Sequence, residues 1–168
     1  FMGGVEVAYE LKDKCDKICF SQTEVLSGGM DYKNLLSVLF DENGTDITTC
    51  AENYFDMYKD QKASYMRSAT VSVVDCRKLE PLAEIVAKHA SAIKTLANSN
   101  ARASVQGYFQ PRYSRYHGIF YDLEDIIKKS GASEDEMREL TDALNACILC
   151  KFATKSFLDE FDINTHSG

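Results

Sequence analysis

A chain of 168 residues with 45% hydrophobic and 27% charged residues has enough apolar content for one packed core, and 9 Gly with 2 Pro are too few for a loop-dominated fold. Its 19 Lys and Arg against 26 Asp and Glu leave a net charge of −7, which disfavours nucleic acid as a partner, because phosphate binding requires a basic surface, and favours basic ligands. No apolar run approaches the roughly 20 residues of a membrane span, and no basic-then-apolar leader opens the sequence.

Met2, Val5, Val7, Tyr9 and Leu11 make most sides of the first segment apolar and predict a buried helix from Phe1 to about Lys12. Lys17 to Ser21 alternates as a short strand, and Ser21 to Gly29, with its polar residues and paired glycines, reads as the loop leaving that strand. Tyr32, Leu35, Leu36, Leu39 and Phe40 fall at helical spacing before Asn43-Gly44, and Ile47, Cys50, Ala51, Tyr54 and Tyr58 predict a second helix reaching about Lys62. Ala69 to Asp75 is a β-branched run expected to be covered on both faces. Pro81 then opens a helix whose apolar side is expected at Leu79, Leu82, Ala83, Val86, Ala90, Ile93 and Ala97. This order of elements is an α/β pattern and predicts a parallel sheet.

From Asn98 to His117 the periodicity gives way to Tyr108, Phe109, Tyr113 and Tyr116 with Arg112 and Arg115, read as a surface loop packing its aromatics rather than as a base-stacking platform. Ile119, Leu123, Ile126 and Ile127 form a helical stripe ending at Gly131, and Ser133 with Glu136 makes a capping box for a helix with core face Met137, Leu140, Leu144, Cys147 and Ile148. Ile148 to Thr154 fits either the end of that helix or a strand. Phe1-Met2-Gly3-Gly4 starts within a periodic pattern and Phe161 to Gly168 lacks a closing element, so the sequence reads as continuing at both ends.

The six cysteines (Cys15, Cys19, Cys50, Cys76, Cys147, Cys150) could make three bridges, but their core-like neighbours favour buried thiols. Cys147-x-x-Cys150 has no second pair with which to complete a zinc site, so no metal is expected, and no cofactor is implied. His89 reads as a solvated helix-edge side chain, and His117 and His166 stand far from it in sequence. A Cys19/His117 pair is a remote in-chain alternative for catalysis. The Ser nucleophile, phosphate-loop and dinucleotide motifs are absent.

Phe1-Met2-Gly3-Gly4-Val5-Glu6-Val7-Ala8-Tyr9-Glu10-Leu11 resembles the segment directly after the nucleophile in clostripain-like cysteine peptidases of the caspase and gingipain clan. Ser21-Gln22-Thr23-Glu24, Gly29-Met30-Asp31-Tyr32, Ala69 to Asp75, Lys78 to Ala83 and the terminal Ser167-Gly168 resemble further family segments in the same order. The resemblance implies a caspase-like three-layer sandwich with a mostly parallel sheet over residues 1–97, extended by helical and αβ additions over 98–168 on the same domain. It implies a Cys immediately before Phe1 at a helix N-terminus, where its pKa would be lowered, and a His further upstream. No catalytic side chain then lies within these residues. The chain alone is expected to be inactive and to need an N-terminal segment or separately processed chain as partner.

The family cleaves after Arg or Lys, which calls for carboxylates in the receiving pocket. Glu24 is the first choice and Asp31 the second, with Thr23 and Gly28 on the same loop as substrate-binding candidates. Export is implied by the resemblance alone. The alternative is a noncatalytic α/β binding module that kept the fold and lost the dyad.

Overall fold

The computed structural model of the chain describes residues 3–42, 44, 46–108 and 120–163. Phe1, Met2, Asn43, the run from Phe109 to Ile119 with Arg112, Tyr113, Arg115, Tyr116 and His117, and His166, Ser167 and Gly168 lie outside the described residues.

Helix α1 (Val5–Glu10) precedes a sheet of three strands in the order β1 (Lys17–Phe20), β2 (Thr70–Asp75), β3 (Ile148–Ala153). The run from Ile148 is therefore a strand. All of β2 is buried, as a central strand covered on both faces requires. Both pairings are antiparallel, with Cys19 opposite Val73 and Val73 opposite Cys150, so the described strands do not form the expected parallel sheet. β1 and β2 are joined through α2 (Tyr32–Leu39) and α3 (Thr48–Lys59), two helices in place of the single crossover helix that returns a chain parallel to its start. β2 and β3 are joined through α4 (Glu80–Ala97), α5 (Leu123–Lys129) and α6 (Glu134–Cys147).

The sheet separates two cores, giving helix, sheet and helix layers. On one face Phe20, Val74 and Ile148 pack with Ala8 of α1, Leu82 of α4, Ile127 of α5 and Leu140 of α6. On the other, Cys19, Val71, Val73 and Cys150 pack with Ala51, Tyr54 and Tyr58 of α3. The C-x-x-C spacing thus places Cys147 in the first core and Cys150 against the second, on opposite faces of the sheet. α3 buries Cys50, Ala51, Tyr54 and Tyr58 as its spacing predicts. The Ser133–Glu136 capping box of α6 is also formed, each residue's side chain accepting from the other's backbone N–H.

Three expectations change. The buried side of α4 is Leu82, Ile85, His89 and Leu96, while Ala90 and Ala97 are exposed; alanines mark helical spacing without fixing which side is covered. His89 is consequently buried between α4 and α6, with Nε2 3.7 Å from Glu136 Oε1, and is not the solvated side chain expected. α2 forms where predicted, yet Tyr32, Leu36, Leu39 and Phe40 are 62%, 52%, 56% and 79% exposed. A small hairpin, β4 (Ser156–Phe157) with β5 (Phe161–Asp162), buries Phe157 and Ile163 beside Tyr108 and has no counterpart in the sequence reading.

Where β2 ends, Asp75 is 3% exposed and accepts Nε and Nη2 of Arg77, each at 2.9 Å, together with the Arg77 backbone N–H at 3.1 Å. Its hydrogen bonds to the Arg77 side chain hold the carboxyl well below the usual range, at about 2. A depressed folded-state pKa stabilises the fold above the ordinary value of 3.8 and loses that contribution as pH falls from there towards 2. Arg77→Met should therefore raise the Asp75 pKa seen by carboxyl NMR and move the acid-unfolding midpoint to higher pH. An unchanged midpoint would show that the pair does not set acid stability.

Candidate functional site

A buried seam of hydroxyls crosses the sheet where β1 ends and β2 begins. Ser21, Gln22, Thr23, Ser68, Thr70, Ser72 and Thr154 are all buried, positions at which unpaired polar groups would be costly. Thr70 is the hub: its Oγ1 lies 3.0 Å from Ser21 Oγ and 3.2 Å from Thr23 Oγ1, and accepts the Thr23 backbone N–H at 3.2 Å. Ser21 Oγ also donates to the Thr23 carbonyl at 2.9 Å, and Gln22 Nε2 donates to Ser72 Oγ at 2.6 Å. The seam fixes the first turn of the loop leaving β1.

Beside this turn the chain after Met2 is extended. α1 starts only at Val5, spans 6 residues and has Gly4 as N-cap at φ −121°, ψ 162°. This corrects the expectation of a helix from Phe1 to Lys12. Two glycines in succession are poor helix formers, and here Gly3 N–H donates to the Ser21 carbonyl at 2.7 Å. The approach requires glycine: a Cβ at Gly3 would lie 2.4 Å from Cγ and Cδ2 of Phe20.

Between α1, the sheet and α4 to α6 lies a cavity of about 200 Å³ whose lining includes Gly3, Gly4, Glu6, Gln22 and Ser72. Gln22 is 7% exposed, and its Oε1 has no hydrogen-bond partner among the described residues. Gln22 is the polar residue of this site that sequence reasoning missed, although it stands in the polar run at the strand end. Glu6, which also lines the cavity, is an exposed residue of α1.

The loop itself is packed from within. Val25, Leu26 and Met30 rest against the second core, Gly29 N–H donates to the Leu26 carbonyl at 2.8 Å, and Tyr58 Oη donates to the Gly29 carbonyl at 2.8 Å. Gly29 has φ +68°, and a Cβ at Gly28 would stand 3.0 Å from Tyr58 Oη. The four candidates on this loop have different environments. Thr23 is fully buried in the seam, so its side chain positions the loop rather than facing solvent. Asp31 caps α2, accepting Asn34 N–H at 3.3 Å and the Asn34 amide. Gly28 is exposed. Glu24 is half-buried, and its carboxylate has no hydrogen bond or ion pair among the described residues.

Five of the six thiols are held away from the thiolate form. Burial pushes Cys19 up to about 12, and burial is also the leading cause of the upward shifts at Cys50, Cys76, Cys147 and Cys150. A Cys19 nucleophile is thus disfavoured, and its expected partner His117 lies outside the described residues. Among the described residues no group of three or more His, Cys, Asp or Glu side chains is placed to hold a metal ion, and no helix is long and apolar enough to cross a membrane.

A family model described as the clostripain family matches residues 1–163. Among solved structures the chain is similar to a clostripain from Bacteroides thetaiotaomicron in complex with the peptide inhibitor BTN-VLTK-AOMK, at 26% identity and a TM-score of 0.75, covering 100% of this chain and 72% of that one. It is similar to a secreted C11 cysteine protease of the same organism, iotapain, at 26% identity and a TM-score of 0.77, covering 100% of this chain and 46% of that one. It shares the fold of an inactive zymogen C11 protease from Parabacteroides distasonis, at 21% identity and a TM-score of 0.72, covering 100% and 48%. The chain therefore spans less than half the length of the last two. No curated protein matches it.

Proposed function

This chain belongs to the clostripain family of cysteine peptidases, and we propose from that premise that it is the part following the nucleophile of an endopeptidase that cleaves after Arg or Lys. The observation that carries the reading is the non-helical entry to α1, with Gly4 extended and Gly3 N–H tied to the Ser21 carbonyl at 2.7 Å, beside a loop on which Glu24 holds an unpaired carboxylate. A thiol one residue before Phe1 would then lie near the carboxyl end of β1, the end of an α/β sheet where sites are built. We place the nucleophilic Cys there and its His further upstream, in a segment or separately processed chain that completes the enzyme. Residues 98–168 extend the same domain, through β3 in the sheet and α6 against α4.

In this scheme the His takes the thiol proton, the thiolate adds to the carbonyl carbon of the scissile bond, and backbone N–H groups hold the oxyanion. Collapse of that adduct breaks the C–N bond as the His protonates the leaving amine, and water hydrolyses the resulting thioester. Glu24 pairs with the basic side chain preceding the cleaved bond. Support for that charge comes from the acidic chain as a whole and from one relative's peptide inhibitor, in which the peptide VLTK ends in Lys. Export is proposed on the same footing, since iotapain is described as secreted.

Two measurements on the full-length protein test this. A Lys-ending acyloxymethyl ketone peptide should label one Cys, and peptide mapping should place it directly before Phe1; Ala, Ser or Gly at that position would leave a noncatalytic binding module. Glu24→Gln should lower kcat/KM for Arg and Lys substrates by about 10- to 100-fold, the worth of one charge-assisted contact. Asp31→Asn should leave kcat/KM within about twofold, because Asn also caps helices. The reverse ranking would move the specificity role to Asp31.

A further inference from the structure

We infer that Cys15 and Cys76 are a disulfide-forming pair, which an oxidant of the disulfide class converts into a covalent lock between the turn after α1 and the end of β2. Their backbones are already side by side: Cys76 N–H donates to the Asp16 carbonyl at 2.8 Å. Cys76 is 1% exposed within the first core, and half-buried Cys15 packs against the same cluster. Burial and the neighbouring Cys15 thiol together push the Cys76 thiol up, while Cys15 Sγ donates to the Leu11 carbonyl at 3.5 Å. Adjacent backbones whose cysteines pack into one cluster are the arrangement from which a disulfide closes by side-chain rotation.

The other thiols are placed differently. Cys147 donates to its own helix at Leu144 O, 3.4 Å away, and Cys19 and Cys150 lie across the sheet against the second core. All six cysteines are free thiols in this structure, in keeping with the sequence reading.

The exchange has two steps. Cys15, the more accessible thiol, loses its proton and attacks one sulfur of the oxidant's disulfide, expelling the other as a thiolate. Cys76 then loses its proton and attacks the Cys15 sulfur of the mixed disulfide, expelling the second thiolate. Two protein thiols are oxidised by two electrons and the oxidant is reduced to two thiols. Burial, reinforced by Cys15, pushes the Cys76 thiol up to about 11, so closure is favoured by raised pH. The ring encloses β1, α2, α3 and β2, a long loop whose closure restricts the unfolded chain. It sits at the opposite end of β1 from Ser21 and the Glu24 loop, so stability changes while the cleft stays in place.

The test incubates the full-length protein with a glutathione disulfide and glutathione buffer, alkylates free thiols and maps nonreduced peptides by mass spectrometry. The expected result is a dominant Cys15–Cys76 linked peptide, a thermal midpoint roughly 5–10 °C above that of the reduced protein, and reversal by a dithiol reductant. Cys15→Ser should abolish both the link and the shift, whereas Cys50→Ser, a buried control, should retain the link. Should Cys76→Ser fail to fold, the half-buried Cys15 variant and the peptide map of the unsubstituted protein still decide. Complete alkylation of both residues in the oxidising buffer, or scrambled pairing with other cysteines, would overturn the pair; a link without any change in midpoint would overturn the lock.

Discussion

Gly3→Ala is expected to lower the thermal midpoint by roughly 5–10 °C, the counterpart of about 2–3 kcal/mol in a domain of this size, and to lower kcat/KM of the full-length enzyme by about tenfold or more. The added Cβ would stand 2.4 Å from Cγ and 2.6 Å from Cβ of Phe20. Those atoms are the root of a core ring that is 9% exposed, so swinging a side-chain tip aside cannot relieve the clash. The backbone at Gly3 must then retreat from the Ser21 carbonyl, and the 2.7 Å hydrogen bond lengthens. In the proposed enzyme that movement is transmitted to a nucleophile three residues earlier, which explains why activity should fall by more than stability alone dictates. A double-mutant cycle checks the cause. Phe20→Leu removes part of the ring and is costly by itself, yet Gly3→Ala with Phe20→Leu should lose less than the two single variants added together, by about 1 kcal/mol. Strict additivity would mean that Phe20 is not what Gly3 accommodates.

This pairing also shows what the sequence could and could not convey. The Gly3-Gly4 dipeptide was visible inside an otherwise apolar pattern, but only the register of β1 says which side chain the glycine must clear. Spacing identified α3 and its buried face because bulky residues, Tyr54 and Tyr58, mark that face unambiguously. It rotated the face of α4, where alanines diluted the pattern and Ile85, His89 and Leu96 decided the packing. For α2 it found a true apolar stripe, although the stripe faces outward; periodicity reports that one side of a helix is apolar, not what covers it.

The antiparallel pairing of β2 and β3 was hidden for another reason. Residues 70 and 153 are opposite one another across an intervening three-helix stretch, and no local pattern encodes so distant a register. The β4–β5 hairpin was missed because its turn uses Leu158 and Asp159 at φ 53° and 59° in place of Gly or Asn. Tertiary contacts hold it instead, with Ser68 Oγ accepting Leu158 N–H at 2.7 Å and Asp159 accepting the Ser64 hydroxyl. At the candidate site, the loop and its acids were legible as a polar run after a strand. Neither the capping of α2 by Asp31 nor the burial of Thr23 could be read there, because both depend on what the loop folds against.

Thr70→Val should be the more damaging of two small changes at the seam, costing about 2–3 kcal/mol against about 1 kcal/mol for Thr70→Ser. Valine keeps the shape of threonine and removes its oxygen, so the Thr23 N–H loses the acceptor it now has at 3.2 Å in a fully buried setting. Serine keeps the oxygen and loses only a methyl group. Ser21 is partly insulated from either change because its hydroxyl also donates to the Thr23 carbonyl at 2.9 Å. The burden therefore falls on Thr23, the residue before Glu24, and the loop should shift to bring its N–H towards another acceptor. In the full-length enzyme this predicts a rise in KM for Arg and Lys substrates with Thr70→Val that Thr70→Ser does not share. Denaturant unfolding with matched kinetics on basic substrates reads both effects. Equal losses for the two variants would show that the methyl packing of Thr70, rather than its oxygen, holds the strand end in place, and would remove the seam as the support for Glu24.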